Sequence, residues 1–279
     1  MTQKYSICLV EPQNYVHSGA FYEIADVLLY ALRDLGHEAA LRKNGIDPSA
    51  RNIVIGVHLL NPAMAAQMPP GTIILNTEQL GATPGSWNQN ILQWFSHDFT
   101  LWDYSDANVG YLKDFGVKRV EKLQLGFQKE LCRIPQQDEH DVDVLFYGCI
   151  NQRRKHVLED LISRGLRVKV LSGIYGAARD AWIARSRIVL NLHYYDTQIF
   201  EIVRTFYLMT NGVPVAAEVN PTTRIDDCYR EGLLCSPYEN LAESIAAVLQ
   251  DEARLARLGI KAKETIERHP QAVLLREIL

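Results

Sequence analysis

Short apolar runs alternate with longer amphipathic stretches along this chain, and the alternation runs through twice. In the first pass the runs at 5–10, 38–41, 52–57, 72–75, 100–102 and 120–125 have strand length. Between them, residues 21–35 place Phe21, Ile24, Ala25, Leu28, Leu32 and Leu35 at helical spacing, and Gly36 stops the pattern. Further helices are predicted over 87–95 and 107–115. After a break the pattern restarts, with strands at 142–147, 168–171, 188–192, 213–217 and 233–236. The helices of this pass fall over 152–164, 177–185, 197–210, 241–249 and 252–269. Strand alternating with helix, with strands apolar on both faces, predicts parallel sheets covered on both sides.

The break is polar. Residues 129–141 hold Pro135-Gln136-Gln137-Asp138-Glu139-His140-Asp141, so they are expected to link a first domain, 1–128, to a second, 142–279. A chain of 279 residues accommodates two such domains of about 130 residues each. The last helix is expected either to pack back on the first domain or to form a contact between copies.

Composition excludes several classes. Twenty-nine basic against 33 acidic side chains leave a net charge of −4, so a broad nucleic-acid footprint is not expected. No apolar run is long enough to span a membrane. Met1-Thr2-Gln3-Lys4 leads straight into a strand pattern rather than a signal peptide. Five scattered cysteines without a CxxC fit reduced thiols in the cytoplasm, and no zinc-ligand spacing occurs. The single D-x-D, Asp141-Val142-Asp143, precedes a strand rather than following one, so no metal site is expected.

Two segments carry chemistry. In Phe146-Tyr147-Gly148-Cys149-Ile150-Asn151-Gln152-Arg153-Arg154-Lys155 a strand ends, Gly148 permits a turn and Asn151 suits a helix cap. Three cations then occupy a helix start, where the macrodipole disfavours them by a few tenths of a kcal/mol each, roughly, and a bound phosphate would reverse that sign. The alternative is three solvated cations. Alanine at Arg154 or Lys155 is accordingly expected to weaken binding of a phosphate or diphosphate ligand without loss of stability. In the second segment His193 leaves a strand's carboxyl end, where ligands of open α/β sheets bind. Glu201 and Arg204 follow on a helix. They form either a surface pair or a hydroxyl-binding carboxylate beside a phosphate-binding cation.

Together these residues resemble the nucleotide-sugar half of GT-B glycosyltransferases. Gly148 followed by Arg153, Arg154 and Lys155 is similar to their glycine-then-basic element, and Arg204-Thr205-Phe206 with Asn211-Gly212-Val213-Pro214-Val215 to their "R-x-F-E…G-x-P-V" region. With Tyr175-Gly176-Ala177-Ala178-Arg179-Asp180, the two segments resemble a bacterial group of glycosyltransferase-like proteins. The resemblance covers about residues 142–220. It departs from the retaining pattern E-x7-E, because Tyr207 stands where the second Glu usually lies.

The resemblance implies two Rossmann-like domains facing each other across a cleft, with a UDP- or GDP-sugar on the second, the acceptor on the first, and neither cofactor nor metal. Gly148, Asn151, Arg153, Arg154, Lys155, Tyr175, His193, Glu201 and Arg204 are the expected donor-binding residues. An inverting reaction would need a base, for which Glu78 is the first candidate and His17 the second; His58 and Asp103 also sit at strand ends. Other readings of the same fold are a sugar-nucleotide epimerase or hydrolase, and a non-catalytic binding protein.

Overall fold

The computed structural model describes residues 2–81, 86–135, 137, 139–195 and 199–279. The start of the helix expected at 197 lies outside the described residues. The chain divides into two compact units, Met1–Leu125 with Gln271–Leu279, and Gly126–Pro270.

The first unit contains β1 (Lys4–Leu9), α1 (Tyr22–Asp34), β2 (Glu38–Lys43), β3 (Arg51–Ile55), β4 (Ile73–Leu75), α2 (Ser86–Phe95), β5 (Thr100–Asp103), α3 (Asp106–Asp114) and β6 (Val120–Lys122). Its strands form one parallel sheet in the order β2-β1-β3-β4-β5-β6. Burial on both faces explains unbroken apolar runs such as Ile73-Ile74-Leu75, all buried. One side packs Val54, Ile74 and Leu101 against Trp94 and Leu112 of the covering helices. Gly36 closes α1 at φ +80°, with its N–H donating to Arg33 O and that of His37 to Leu32 O. Only glycine adopts that conformation without strain.

The second unit contains β7 (Val142–Tyr147), α4 (Gln152–Ser163), β8 (Val168–Leu171), α5 (Gly176–Ala184), β9 (Ser186–Asn191), α6 (Ile202–Thr210), β10 (Val215–Glu218), α7 (Asp227–Arg230), β11 (Leu234–Ser236), α8 (Leu241–Leu249) and α9 (Glu252–Glu267). The sheet is again parallel, in the order β11-β10-β9-β7-β8. Val144, Phe146 and Leu190 meet Leu161 and Ile245 in its core.

Three departures from the sequence pattern have local causes. The helix expected over 252–269 ends at Glu267, because Pro270 disfavours helical geometry in the residue before it. A separate helix, α10 (Gln271–Arg276), then joins the first unit against α1, while α9 packs on α6 within its own unit. Residues 129–135 are built into the second unit rather than hanging free: Leu131 and Ile134 are buried. Asn211 Oδ1 accepts from the backbone N–H groups of Arg133 (2.7 Å) and Ile134 (2.9 Å), and its amide donates to Leu131 O at 2.9 Å. The helix expected from 197 begins at Ile202, after a non-helical Glu201 with ψ 74°.

Candidate functional site

In each sheet the winding reverses once, and there the carboxyl-end loops of neighbouring strands diverge to leave a crevice where ligands of open α/β sheets bind. In the second unit the reversal lies between β7 and β9. The two segments singled out in the sequence are the loops that leave those strands.

Gly148 ends β7 at φ +141°, donating to Leu171 O at 3.0 Å. A Cβ there would lie 3.3 Å from both Arg154 Nη1 and Arg204 Nη2, so glycine lets two guanidiniums close over the turn. Asn151 caps α4 by accepting from Arg154 N at 2.9 Å, and its amide donates to Tyr194 O at 2.8 Å, tying the β7 loop to the β9 loop.

The arginines at the start of α4 are not solvated. Arg154 is only 3% exposed and donates to Cys149 O (2.8 Å) and His193 O (3.3 Å), and it pairs with Glu201. Its guanidinium lies 5.1 Å from the ring centroids of both Phe146 and Tyr194. Arg153 pairs through both terminal nitrogens with Glu218, at the end of β10, and stacks 4.0 Å over Tyr238, whose hydroxyl donates to Arg153 O. Glu218 is fully buried and also accepts from His193 N (3.1 Å) and Asn220 (2.6 Å). Lys155 stands apart: it is 55% exposed and faces Glu159 at 3.5 Å, one turn along the helix.

On the other side, Arg204 reaches Glu201 at 2.7 Å and donates to Asn191 Oδ1 and Tyr147 O, each at 2.8 Å. Its Nε–H is buried without a hydrogen-bond partner. Glu201 is thus a carboxylate with a guanidinium on each oxygen, and it remains 22% exposed. Burial by itself would raise its pKa, but Arg204 and Arg154 outweigh that and hold it below the ordinary glutamate value. His193 is lowered, chiefly by burial, and is therefore neutral near pH 7. Its Nδ1 lies 3.2 Å from Ile199 O, which only accepts, so Nδ1 carries the proton and Nε2 faces the Thr223 hydroxyl at 3.5 Å. Tyr175 occupies the cap position of α5, in the loop after β8.

The structure therefore gathers Gly148, Asn151, Arg153, Arg154, His193, Glu201 and Arg204, with Lys155 outside the cluster. The sequence reading assigned no role to Glu218, a carboxylate ending an apolar strand. Beside the site lies a buried group whose partnerships no spacing indicated: Arg179 pairs with Asp180 at 2.7 Å, and Tyr207 donates to the same carboxylate at 2.7 Å. Asp141 and Asp143, the D-x-D pair, lie at the amino end of β7 with Arg185 on the first and Arg167 and Arg187 on the second. Among the described residues no group of three His, Cys, Asp or Glu side chains could hold a metal ion.

In the first unit the reversal lies between β1 and β3. His58, which follows β3, is buried, and its Nε2 lies 3.3 Å from Glu78 Oε1. Burial lowers the His58 pKa to about 4 and raises that of Glu78. Glu78 is positioned through its backbone: its carbonyl accepts from Asn76 (2.8 Å) and Asn108 (2.9 Å). Both asparagines also donate to the buried Asp103, at 2.6 and 2.9 Å. His17 is placed separately, edge-on to the Tyr15 ring at 5.5 Å.

Comparison with known proteins agrees with this architecture. Residues 139–274 match the family described as glycosyl transferase-like. Two uncharacterised proteins of Acanthamoeba polyphaga mimivirus are 26% identical over 170 residues and 29% identical over 113. The chain spans 22% of the length of the first and 13% of the second. Among solved structures, Anabaena HepE in complex with UDP and glucose is similar at a TM-score of 0.64 and 13% identity, over 99% of this chain and 98% of HepE. Sucrose-phosphate synthase from Thermosynechococcus elongatus is similar at 0.59 and 11%, over 99% of this chain and 97% of that one. TarM of S. aureus, solved with UDP among its ligands, is similar at 0.57 and 14%, over 81% of this chain and 54% of TarM. Residues 139–274 thus match the glycosyl transferase-like family, and the fold of the chain's two parallel α/β units is similar to that of HepE and sucrose-phosphate synthase.

Proposed function

We propose that this chain is a glycosyltransferase that moves a sugar from a nucleotide-sugar donor to an acceptor yet to be identified, without a metal ion. The observation that supports it most is Glu201, a partly exposed carboxylate kept ionised by Arg154 and Arg204 at the β7/β9 reversal of a domain of this family. Each carboxylate oxygen keeps a second lone pair after its arginine contact, which suits a pair of vicinal hydroxyls on ribose or hexose. The first-turn amides of α4 and the helix dipole favour a diphosphate nearby. The orphaned Nε–H of Arg204 is a buried donor that a phosphate oxygen would satisfy. Arg153 and Arg154 then act mainly as positioning residues, since Glu218, Glu201 and backbone carbonyls already occupy their guanidiniums. Donors such as UDP-glucose come from the similarity to HepE, which was solved with UDP-glucose.

In the reaction the acceptor oxygen bonds to the anomeric carbon as the bond from that carbon to the phosphate oxygen breaks. The diphosphate leaves with the electron pair; an inverting reaction would pass the hydroxyl proton to a base, for which Glu78, whose pKa burial raises, is the first candidate. A cytoplasmic setting is supported by five free thiols. Among the described residues, no helix is long and apolar enough to cross a membrane.

One observation favours a second reading, a nucleotide-sugar-binding protein without turnover. Tyr207 is 1% exposed and spends its hydroxyl on Asp180, so it offers no replacement for a catalytic carboxylate. Incubation with UDP- and GDP-sugars in EDTA, with a mixed pool of glycan, protein and small-molecule acceptors, separates the readings. Sugar transfer with nucleotide diphosphate release is the expected result. Binding without turnover favours the second reading, and activity abolished by EDTA contradicts the metal-free proposal.

A further inference from the structure

Glu218 ends β10 with its side chain fully buried, and the proposed donor site gives it no role of its own. Four donors face its two oxygens. Oε1 accepts from Arg153 Nη2 and from the Asn220 amide (2.6 Å), and Oε2 accepts from Arg153 Nη1 (2.6 Å) and the backbone N–H of His193 (3.1 Å). A carboxylate has about four acceptor positions, so none is left for a ligand or a transferred proton. What Glu218 does must lie in what it holds.

It holds three loops. Arg153 opens α4 after β7, His193 follows β9, and Asn220 follows β10, where its Oδ1 accepts from Tyr238 N at 2.9 Å. Both polar backbone atoms of His193 are fixed from this one side chain. The N–H is held directly, and the carbonyl is held through Arg153, whose Nη1 also donates to it at 3.3 Å. The same carbonyl accepts from Arg154 Nε at 3.3 Å, and Arg154 pairs with Glu201. An ion pair that only stabilised the fold would need Arg153 alone. The His193 and Asn220 contacts are what join the loops.

We infer that Glu218 is a positioning residue for the Glu201 crevice: it fixes the His193 backbone and, through the His193 carbonyl, the Arg154 guanidinium. The positioning stands on this geometry alone; its consequence for donor binding rests on the transferase reading above.

The sign of one shift separates positioning from simple charge. The charged groups facing Glu201 are Arg154, Arg204 and, when protonated, His193; those facing Glu218 are Arg153 and the same histidine, with Tyr238 stacked on Arg153. Removing the negative charge of Glu218 across space would lower the Glu201 pKa further, because a like charge disappears. Releasing Arg154 would raise it toward the ordinary glutamate value, because a guanidinium is lost.

The test follows the Glu201 carboxyl by carbon-13 NMR titration of the full chain, without ligand, in wild type, Glu218→Gln and Glu218→Asp. Glutamine keeps the shape but turns an NH₂ group toward donors; aspartate keeps the charge but shortens the reach. Both variants are expected to raise the Glu201 pKa, by roughly one unit for Glu218→Gln and by less for Glu218→Asp. An unchanged or lowered value in a folded variant overturns the inference. So does a wild-type His193 amide that exchanges with solvent as fast as an unstructured peptide, a measurement that needs no variant to fold. UDP-glucose and GDP-glucose titrated into the same samples read the donor site separately. Wild type is expected to bind one of them, and Glu218→Gln to bind it about tenfold more weakly. Binding of neither by wild type defeats the transferase reading, while the carboxyl titration still decides the role of Glu218. Unchanged donor affinity in a variant whose Glu201 pKa has risen removes Glu201 from the donor site and leaves the positioning intact.

Discussion

The two units share a parallel sheet, one reversal of winding and a crevice at that reversal, yet they furnish the crevices with opposite chemistry. Around β7/β9, Arg153, Arg154 and Arg204 are drawn inward by Glu218 and Glu201. Around β1/β3, the ionisable side chains His58 and Glu78 touch each other and are both displaced by burial toward their uncharged forms. A common backbone therefore does not dictate the ligand; the loops after the strands decide it.

The largest effect that could break this contrast is expected at Arg154. Alanine there leaves Glu201 with one guanidinium and strands several carbonyls, so the second unit should lose about 3–5 kcal/mol in denaturant unfolding. This corrects the expectation of unchanged stability, because the side chain is buried rather than solvated. A loss below about 1 kcal/mol would show that the arginine is effectively a surface residue.

The next effect concerns the first unit. Burial raises the Asp103 pKa from 3.8 to about 7, against the lowering pull of Asn76, Ser105 N and Asn108. Between those values the folded state holds a proton that the unfolded chain has released. Stability therefore falls as pH rises through this window and levels off above it, by roughly 2–4 kcal/mol for a fully buried group. His58 contributes the opposite slope between about 4 and 6.5, because there the unfolded chain binds the extra proton. The difference between wild type and Asp103→Asn isolates the carboxyl: the falling component should vanish in the variant. Identical pH profiles would mean that Asp103 is ionised in the fold.

Smaller effects sharpen the contrast within one loop. Gly148→Ala forces a side chain into a left-handed backbone and against two guanidiniums, so a cost of about 1–3 kcal/mol is expected in thermal unfolding. Lys155→Ala, one residue beyond Arg154, should change stability by less than about 0.5 kcal/mol and leave UDP affinity within twofold or so. A tenfold loss of UDP affinity would return Lys155 to the donor site.

Local features were legible in the sequence because local rules govern them. Short apolar runs and period-3.6 patterns located both sheets and most helices, Gly148 marked a turn that requires glycine, and Asn151 is the cap its position suggested. Glu201 and Arg204 do pair, though at the start of a buried helix rather than on a surface. Partnerships across the fold were not legible. Arg153 meets Glu218 65 residues further on, and Arg154 meets Glu201 47 residues further on. No periodicity encodes such a pairing, so the basic run read as available charge when most of it is internally satisfied. The break at Pro270 hid a separate terminal helix, and the polar composition of 129–141 hid two buried side chains, Leu131 and Ile134.

The central claim is that the β7/β9 crevice binds a nucleoside diphosphate through an ionised Glu201. Calorimetric titration of UDP-glucose and GDP-glucose into wild type and Glu201→Gln tests it most directly, with cooperative unfolding of the variant as the control for folding. The account predicts binding of one donor by wild type and a loss of about tenfold or more in the variant, since a charge-assisted hydrogen bond is replaced by a neutral one. No binding of either donor by wild type, or equal affinity in a folded Glu201→Gln variant, would contradict it.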